Sequence, residues 1–288
     1  MRMAPILASL LTGSAVLLSG CSLAPCIDAV REATGTAPLP SGGTAPLPSG
    51  ARIDLLEPYD AGRIPVLFVH GIGGSPRDFQ AMLDALDRER FQAWVLQYPT
   101  DLRLQAAARD MRRLLAGLQQ DHRFTSLIIV AHSMGGLVSR RFLIDALDEE
   151  DPGGARVLIT FSSPWSGNAW AGVGARLVPD PPRPWIDLAP DSAFLGSLRD
   201  PLPRVPHYVF FGYRRGPSLL TSLSSDGAIT LESQIPEWIQ QQAERYWGFD
   251  ADHAGILSSG PALGRLNALL AHEAGRIRSG GSAKAPLR

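Results

Sequence analysis

Residues 126–136 read SLIIVAHSMGG. The run Leu127–Val130 is short, apolar and rich in β-branched residues, which predicts a buried strand. The glycines and the apolar residues after them predict a helix over 136–148. Ser133 therefore stands at a strand-to-helix turn. A turn this sharp presses the residues two before and two after the serine against each other, so both must be small; they are Ala131 and Gly135. The same geometry turns the hydroxyl outward, while the helix start aims its dipole and unpaired N–H groups at the same point.

Working outward, the chain repeats this alternation. RIPVLFVHG from Arg63 and FQAWVLQYP from Phe91 to Pro99 predict two earlier strands, and ARVLITFSSP from Ala155 a later one. Over 101–120, Leu102, Leu104, Ala108, Met111, Leu114, Leu115 and Leu118 fall opposite Arg103, Arg109, Arg112 and Arg113, an amphipathic helix that Thr100 or Asp101 would cap. Strands alternating with helices require a mostly parallel sheet with helices on both faces. Residues 164–200 interrupt the rhythm with six helix-breaking prolines, Pro164, Pro179, Pro181, Pro182, Pro184 and Pro190, together with Trp165, Trp170 and Trp185; they read as an insertion capping the sheet. HYVFFGY, from His207 to Tyr213, resumes the strand pattern, and Pro236–Tyr246 and Leu263–Ala274 predict helices. The core domain is expected over 51–276, followed by a flexible tail at 277–288.

A second motif gives the serine its context. FVHGIGGSPRDF, residues 68–79, follows the first of these strands and has the form His-Gly-x-x-Gly. With AHSMGG it makes the chain resemble the α/β-hydrolase superfamily, in its lipase and esterase branch. Ala131 replaces the first glycine of the usual Gly-x-Ser-x-Gly turn, a departure that a group of bacterial lipases shares. The resemblance implies an α/β-hydrolase fold with a cap insertion and Ser133 as nucleophile. It also implies an oxyanion hole from the backbone N–H groups of Ile72 and Met134, with His70 bracing the loop. A phosphate-binding reading of the glycines fails because no Gly-Lys-Ser/Thr follows and the spacing is wrong.

In that superfamily the acid and then the histidine follow the serine. His207, His253 and His272 remain after Ser133. His207 begins a core strand and His272 lies within a helix, whereas His253 sits in a polar turn, GFDADHAGIL, and is the expected base. Asp226 in SSDGAITLES resembles the family's Asp-Gly-x-Val-Pro loop and is the expected acid. Asp250 and Asp252 are too close to His253 in sequence, and Asp187 and Asp191 are expected to cap short helices of the insertion. The implied activity is hydrolysis of carboxylic esters of fatty acids through an acyl-enzyme, with an apolar cap forming the acyl pocket. The same triad would serve a thioesterase or acyltransferase; a tethered binding protein without turnover is the alternative of another class. No cofactor and no metal are expected, the acidic turn at Asp250 and Asp252 reading as solvated rather than as a calcium site.

The first 50 residues are of another kind. Residues 1–20, MRMAPILASLLTGSAVLLSG, read as a signal peptide. Leu18-Ser19-Gly20-Cys21 resembles the lipobox of bacterial lipoproteins, which implies a lipid on Cys21 and, with Ser22 next, an outer-membrane position facing the periplasm. Two identical copies of GTAPLPSG fill 35–50 and complete an expected tether over 21–50. Cys26 reads equally as a free thiol, an intermolecular disulfide or a chance residue. With no cysteine after Cys26, a disulfide-built core is excluded. The 288 residues carry 27 basic and 28 acidic side chains, so no charge excess draws the chain to nucleic acid.

Overall fold

The computed structural model describes residues 42–147, 154–214 and 224–279. Cys21, Cys26, the expected signal peptide and residues 35–41 of the first octapeptide copy lie outside the described residues. Among the described residues, seven strands form one sheet: β1 (Arg52–Leu55), β2 (Ile64–Val69), β3 (Phe91–Gln97), β4 (Leu127–His132), β5 (Ala155–Phe161), β6 (His207–Tyr213) and β7 (Arg245–Asp250). Their order is β1-β3-β2-β4-β5-β6-β7. β1 runs antiparallel to β3, and every other pairing is parallel.

Side chains alternate between two buried layers, as a sheet covered on both faces requires. Leu67, Val69, Ile129 and Ala131 face one layer, with Met111 and Leu115 of α2 (Leu104–His122) and Val138 and Phe142 of α3 (Met134–Asp145). Val66, Phe68, Ile128 and Val130 face the other, with Met82 of α1 (Gln80–Ala85) and Leu266 and Leu270 of a long C-terminal helix (Gly260–Arg278). The α/β-hydrolase arrangement expected from the sequence is the one observed.

Between β5 and β6 the chain forms the cap, with α4 (Ala169–Leu177), α5 (Arg183–Leu188) and α6 (Ala193–Gly196). Its aromatic residues divide. Trp165 is fully buried, whereas Trp170 is 65% exposed, with Leu177 and Val173 also exposed along the same helix. Asp187 is not a cap for the insertion's own helices. Its carboxylate crosses to the body, accepting the Leu104 N–H at 2.7 Å and pairing with the Arg103 guanidinium at 2.7 Å. This also explains why neither Thr100 nor Asp101 caps α2. The helix begins at Leu104, and an acceptor from a distant segment satisfies its first amide. Asp191 instead pairs with Arg176.

Several boundaries differ from expectation. The second octapeptide copy and Gly42 before it are folded: the Thr44 N–H donates to the Ile53 carbonyl at 2.9 Å, the Leu55 N–H to the Gly42 carbonyl at 2.9 Å, and Leu47 packs on the core. Pro46 and Pro48 have no N–H to satisfy, so this segment can lie along an edge strand while Thr44 and Leu47 supply the donors. The expected tether thus loses residues 42–50 to the domain. The predicted helix over Pro236–Tyr246 is split. After α7 (Leu231–Gln234), α8 covers Glu237–Gln242, and from Arg245 the chain is strand β7 against β6. The final helix, α9 (Gly260–Arg278), runs past the expected tail boundary, with Ile277 packed against the second layer.

Three histidines are buried and neutral. Desolvation lowers His70 from its ordinary value, brings His132 down to about 3, and places His207 well below 6.5. In the unfolded chain each takes a proton near 6.5 that the folded chain refuses, so the stabilisation is complete above that pH and is lost as pH falls below it. Chemical denaturation at pH 6.5 and pH 5 should show a loss of roughly 2 kcal/mol per fully neutral imidazole; equal stability at the two values would contradict this. Asp187→Ala should cost roughly 2 kcal/mol by the same measurement, because it strands a buried amide and unpairs Arg103. A change below about 0.5 kcal/mol, the range of an ordinary surface substitution, would remove Asp187 from the fold's supports.

Candidate active site

β4 lies fourth of seven strands, and its last residue, His132, leads directly into Ser133 at the start of α3. Ser133 has φ 53° and ψ −126°, a conformation that side chains rarely adopt. The close fit around it explains the small residues. A Cβ on Gly135 would come within 2.3 Å of the Val69 carbonyl oxygen and 2.6 Å of that of His70. Gly71 is equally constrained, because a Cβ there would lie 2.9 Å from Cβ of Ser133. The end of β2 therefore sits directly on the turn.

Ser133, His253 and Asp226 come together from three segments far apart in sequence. Nδ1 of His253 is 2.7 Å from Oδ2 of Asp226, and its Nε2 is 2.9 Å from Oγ of Ser133. The buried Asp226 carboxylate only accepts, so Nδ1 carries the hydrogen and Nε2 is left to accept from the serine hydroxyl. Oδ1 of Asp226 accepts the N–H groups of Ala228 at 2.9 Å and Ile229 at 2.7 Å. These contacts fix the carboxylate's orientation and leave Oδ2 for the imidazole. The His253 N–H in turn donates to the Asp226 carbonyl at 3.0 Å.

The remaining histidines and acids lie elsewhere. His207 is buried in β6 with its Nε2 2.9 Å from Oγ1 of Thr160, and His272 is largely exposed on α9. Asp252 accepts the Gly255 N–H at 2.7 Å and pairs with Arg214. Ser133 as a whole residue is buried, at 5% exposure. Gly71 covers it from the β2 side. The side chain of His253 keeps 23% of its surface.

Ile72 follows Gly71 with its side chain exposed, and Met134 follows Ser133 with its side chain buried. The loop bearing Ile72 is held firmly. The Tyr98 hydroxyl donates to the His70 carbonyl at 2.7 Å, its ring stacks on that of His70 at 4.5 Å, and the Gly73 N–H donates to Oγ1 of Thr100 at 3.1 Å. Burial pushes the Tyr98 phenol up, so it remains a donor.

One neighbour escaped the sequence reading. His132 places its Nε2 2.8 Å from the His253 carbonyl oxygen, with the two rings 4.7 Å apart. Its signal was its place beside Ser133, which a search confined to histidines after the acid passes over.

Comparison with known proteins agrees with this architecture. Among solved structures, the mature lipase BlEst2 of Bacillus licheniformis is similar at 19% identity and TM-score 0.60, over 78% of this chain and 99% of that one. Est1E from Butyrivibrio proteoclasticus follows the fold at 15% identity and TM-score 0.57, over 81% of this chain and 99% of that one. The monoacylglycerol lipase of Paleococcus ferrophilus does so at 12% identity and TM-score 0.54, over 74% of this chain and 95% of that one. No curated protein sequence matches. A sequence model of the Alpha/beta hydrolase family matches residues 66–268, and with most of β2, the Ser133 turn and the first half of α9 inside that span, the chain belongs to the alpha/beta hydrolase family.

Proposed function

We propose that this chain is a serine hydrolase that cleaves carboxylic esters, with fatty acyl esters as its substrate class. The observation that carries the reading is the continuous hydrogen-bond line from Asp226 through His253 to Ser133 at a strained strand-to-helix turn. His253 takes the serine proton through its bare Nε2 as Oγ attacks the acyl carbonyl carbon. The N–H groups of Ile72 and Met134 then stabilise the oxygen anion of the tetrahedral intermediate. As this intermediate collapses, His253 returns the proton to the departing alcohol and leaves an acyl-serine. Water, deprotonated by the same imidazole, attacks that acyl group; the acid is released and the serine restored. Asp226 stabilises the imidazolium in both halves of the cycle.

Because Gly71 covers Ser133 from the β2 side, substrate is expected to enter past His253. The exposed Trp170, Val173 and Leu177 on α4 support an apolar substrate, as do the lipase names of two structural neighbours. The lipobox at Cys21 supports a lipid anchor in a bacterial cell envelope, at the outer membrane facing the periplasm. The chain between Cys21 and residue 42 would then form the tether, reaching several tens of Å at about 3.1 Å per residue if extended. Thioesters and acyl transfer use the same triad, and a series of p-nitrophenyl esters of increasing chain length set against acyl-CoA separates them.

Ser133→Ala should abolish labelling by a fluorophosphonate probe together with ester hydrolysis. Undiminished labelling of the variant would overturn the nucleophile assignment, and a wild-type chain that neither labels nor hydrolyses esters would favour a tethered binding protein. Asp226→Asn should lower kcat by about 10⁴, the loss seen when a triad acid is replaced by its amide; a loss of only a few-fold would place the acid elsewhere.

A further inference from the structure

His132 ends β4 and is bonded directly to Ser133, yet its ring takes no part in the proton path. Its Nε2 lies 2.8 Å from the carbonyl oxygen of His253. A carbonyl only accepts, so this nitrogen carries the hydrogen. The titratable groups facing the ring are His253, Asp226 and His70. Burial, with the nearby His253, brings its pKa to about 3, so the ring is a neutral donor under working conditions. The other end of the His253 residue is held as well, because its N–H donates to the Asp226 carbonyl at 3.0 Å. The backbone of His253 is thus tied on one side to the residue of the acid and on the other to the neighbour of the nucleophile.

We infer that His132 is a positioning residue, whose hydrogen bond to the His253 carbonyl sets the approach of that imidazole to Ser133. The inference rests on the proposed roles of Ser133 and His253. Its physical content lies in adjacency. His253 belongs to a loop, but the donor that grips it and the serine it serves are consecutive residues at the rigid end of a central strand. The Oγ to Nε2 separation of 2.9 Å is therefore maintained by strand β4 and does not depend on the loop alone. Neutrality matters equally. With ring centroids 4.7 Å apart, a charged His132 would oppose the imidazolium that His253 becomes when it takes the serine proton.

The test compares His132→Phe, which keeps a ring but loses the donor, with His132→Gln, whose side-chain amide extends to the position of Nε2. In the full chain, His132→Phe should lower kcat on a p-nitrophenyl ester by about tenfold, the worth of one buried hydrogen bond. KM should stay within about twofold, since the hydrogen bond acts on proton transfer and not on substrate binding. Fluorophosphonate labelling should slow by the same factor as kcat, and His132→Gln should recover most of both rates. Wild-type rates in His132→Phe would overturn the inference, as would equal losses in both variants that follow their loss of thermal stability. If the wild-type chain neither hydrolyses esters nor labels, the proposed function fails, and proton NMR then tests the inference separately. The low-field Nδ1 proton of His253, bonded to Asp226, should shift or broaden in His132→Phe and stay in place in His132→Gln. An unchanged resonance in the Phe variant would overturn it.

Discussion

The site depends on one close approach, that of Gly135 to the carbonyl oxygens of Val69 and His70 at the end of β2. It lets α3 start directly behind β4 and obliges Ser133 to take φ 53°. A non-glycine residue in such a region costs of order 1–3 kcal/mol and persists only where its surroundings leave no alternative. Here those surroundings are β4, paired with β2 on one side and β5 on the other, and Gly71 lying against the serine. At this turn the strain falls on the residue whose side chain must be presented at the junction.

Around that junction the molecule handles polar groups by a consistent rule. Asp226 is fully buried, but two backbone N–H groups and an imidazole satisfy it. Asp187, also buried, receives a helix amide and a guanidinium. His70, His132 and His207 are held neutral by desolvation. Oδ2 of Asp226 stands 2.7 Å from Nδ1 of His253, where the proposed chemistry places an imidazolium. The structure thus limits charge near the nucleophile to what the proposed chemistry needs, and it ties the cap to the body through a carboxylate that would be costly to leave unpaired.

Much of this was legible in the sequence because it is local. The apolar runs that became β2, β4, β5 and β6 are continuous, as strands buried on both faces must be. The small residues about Ser133 record a steric demand that composition alone displays. What escaped reading was either non-local or half exposed. β7, with the sequence RYWGFD, is an edge strand carrying a glycine and charged ends, and its residues alternate between exposed and partly buried. The partner of α2's first amide is Asp187, 83 residues away. The folded octapeptide copy is identical in sequence to the copy before it, so composition cannot distinguish a segment laid along β1 from a free linker. His132 was hidden by chain order, since its role is to hold a histidine that lies 121 residues later.

The central claim is that Ser133 accepts an acyl group from an ester. Acid quenching during turnover of a slowly deacylated p-nitrophenyl ester, followed by peptide mapping, tests it most directly. The account predicts one acyl group per chain, on the peptide containing Ser133. An acyl group on another residue, or product released from a chain that never carries one, would contradict it.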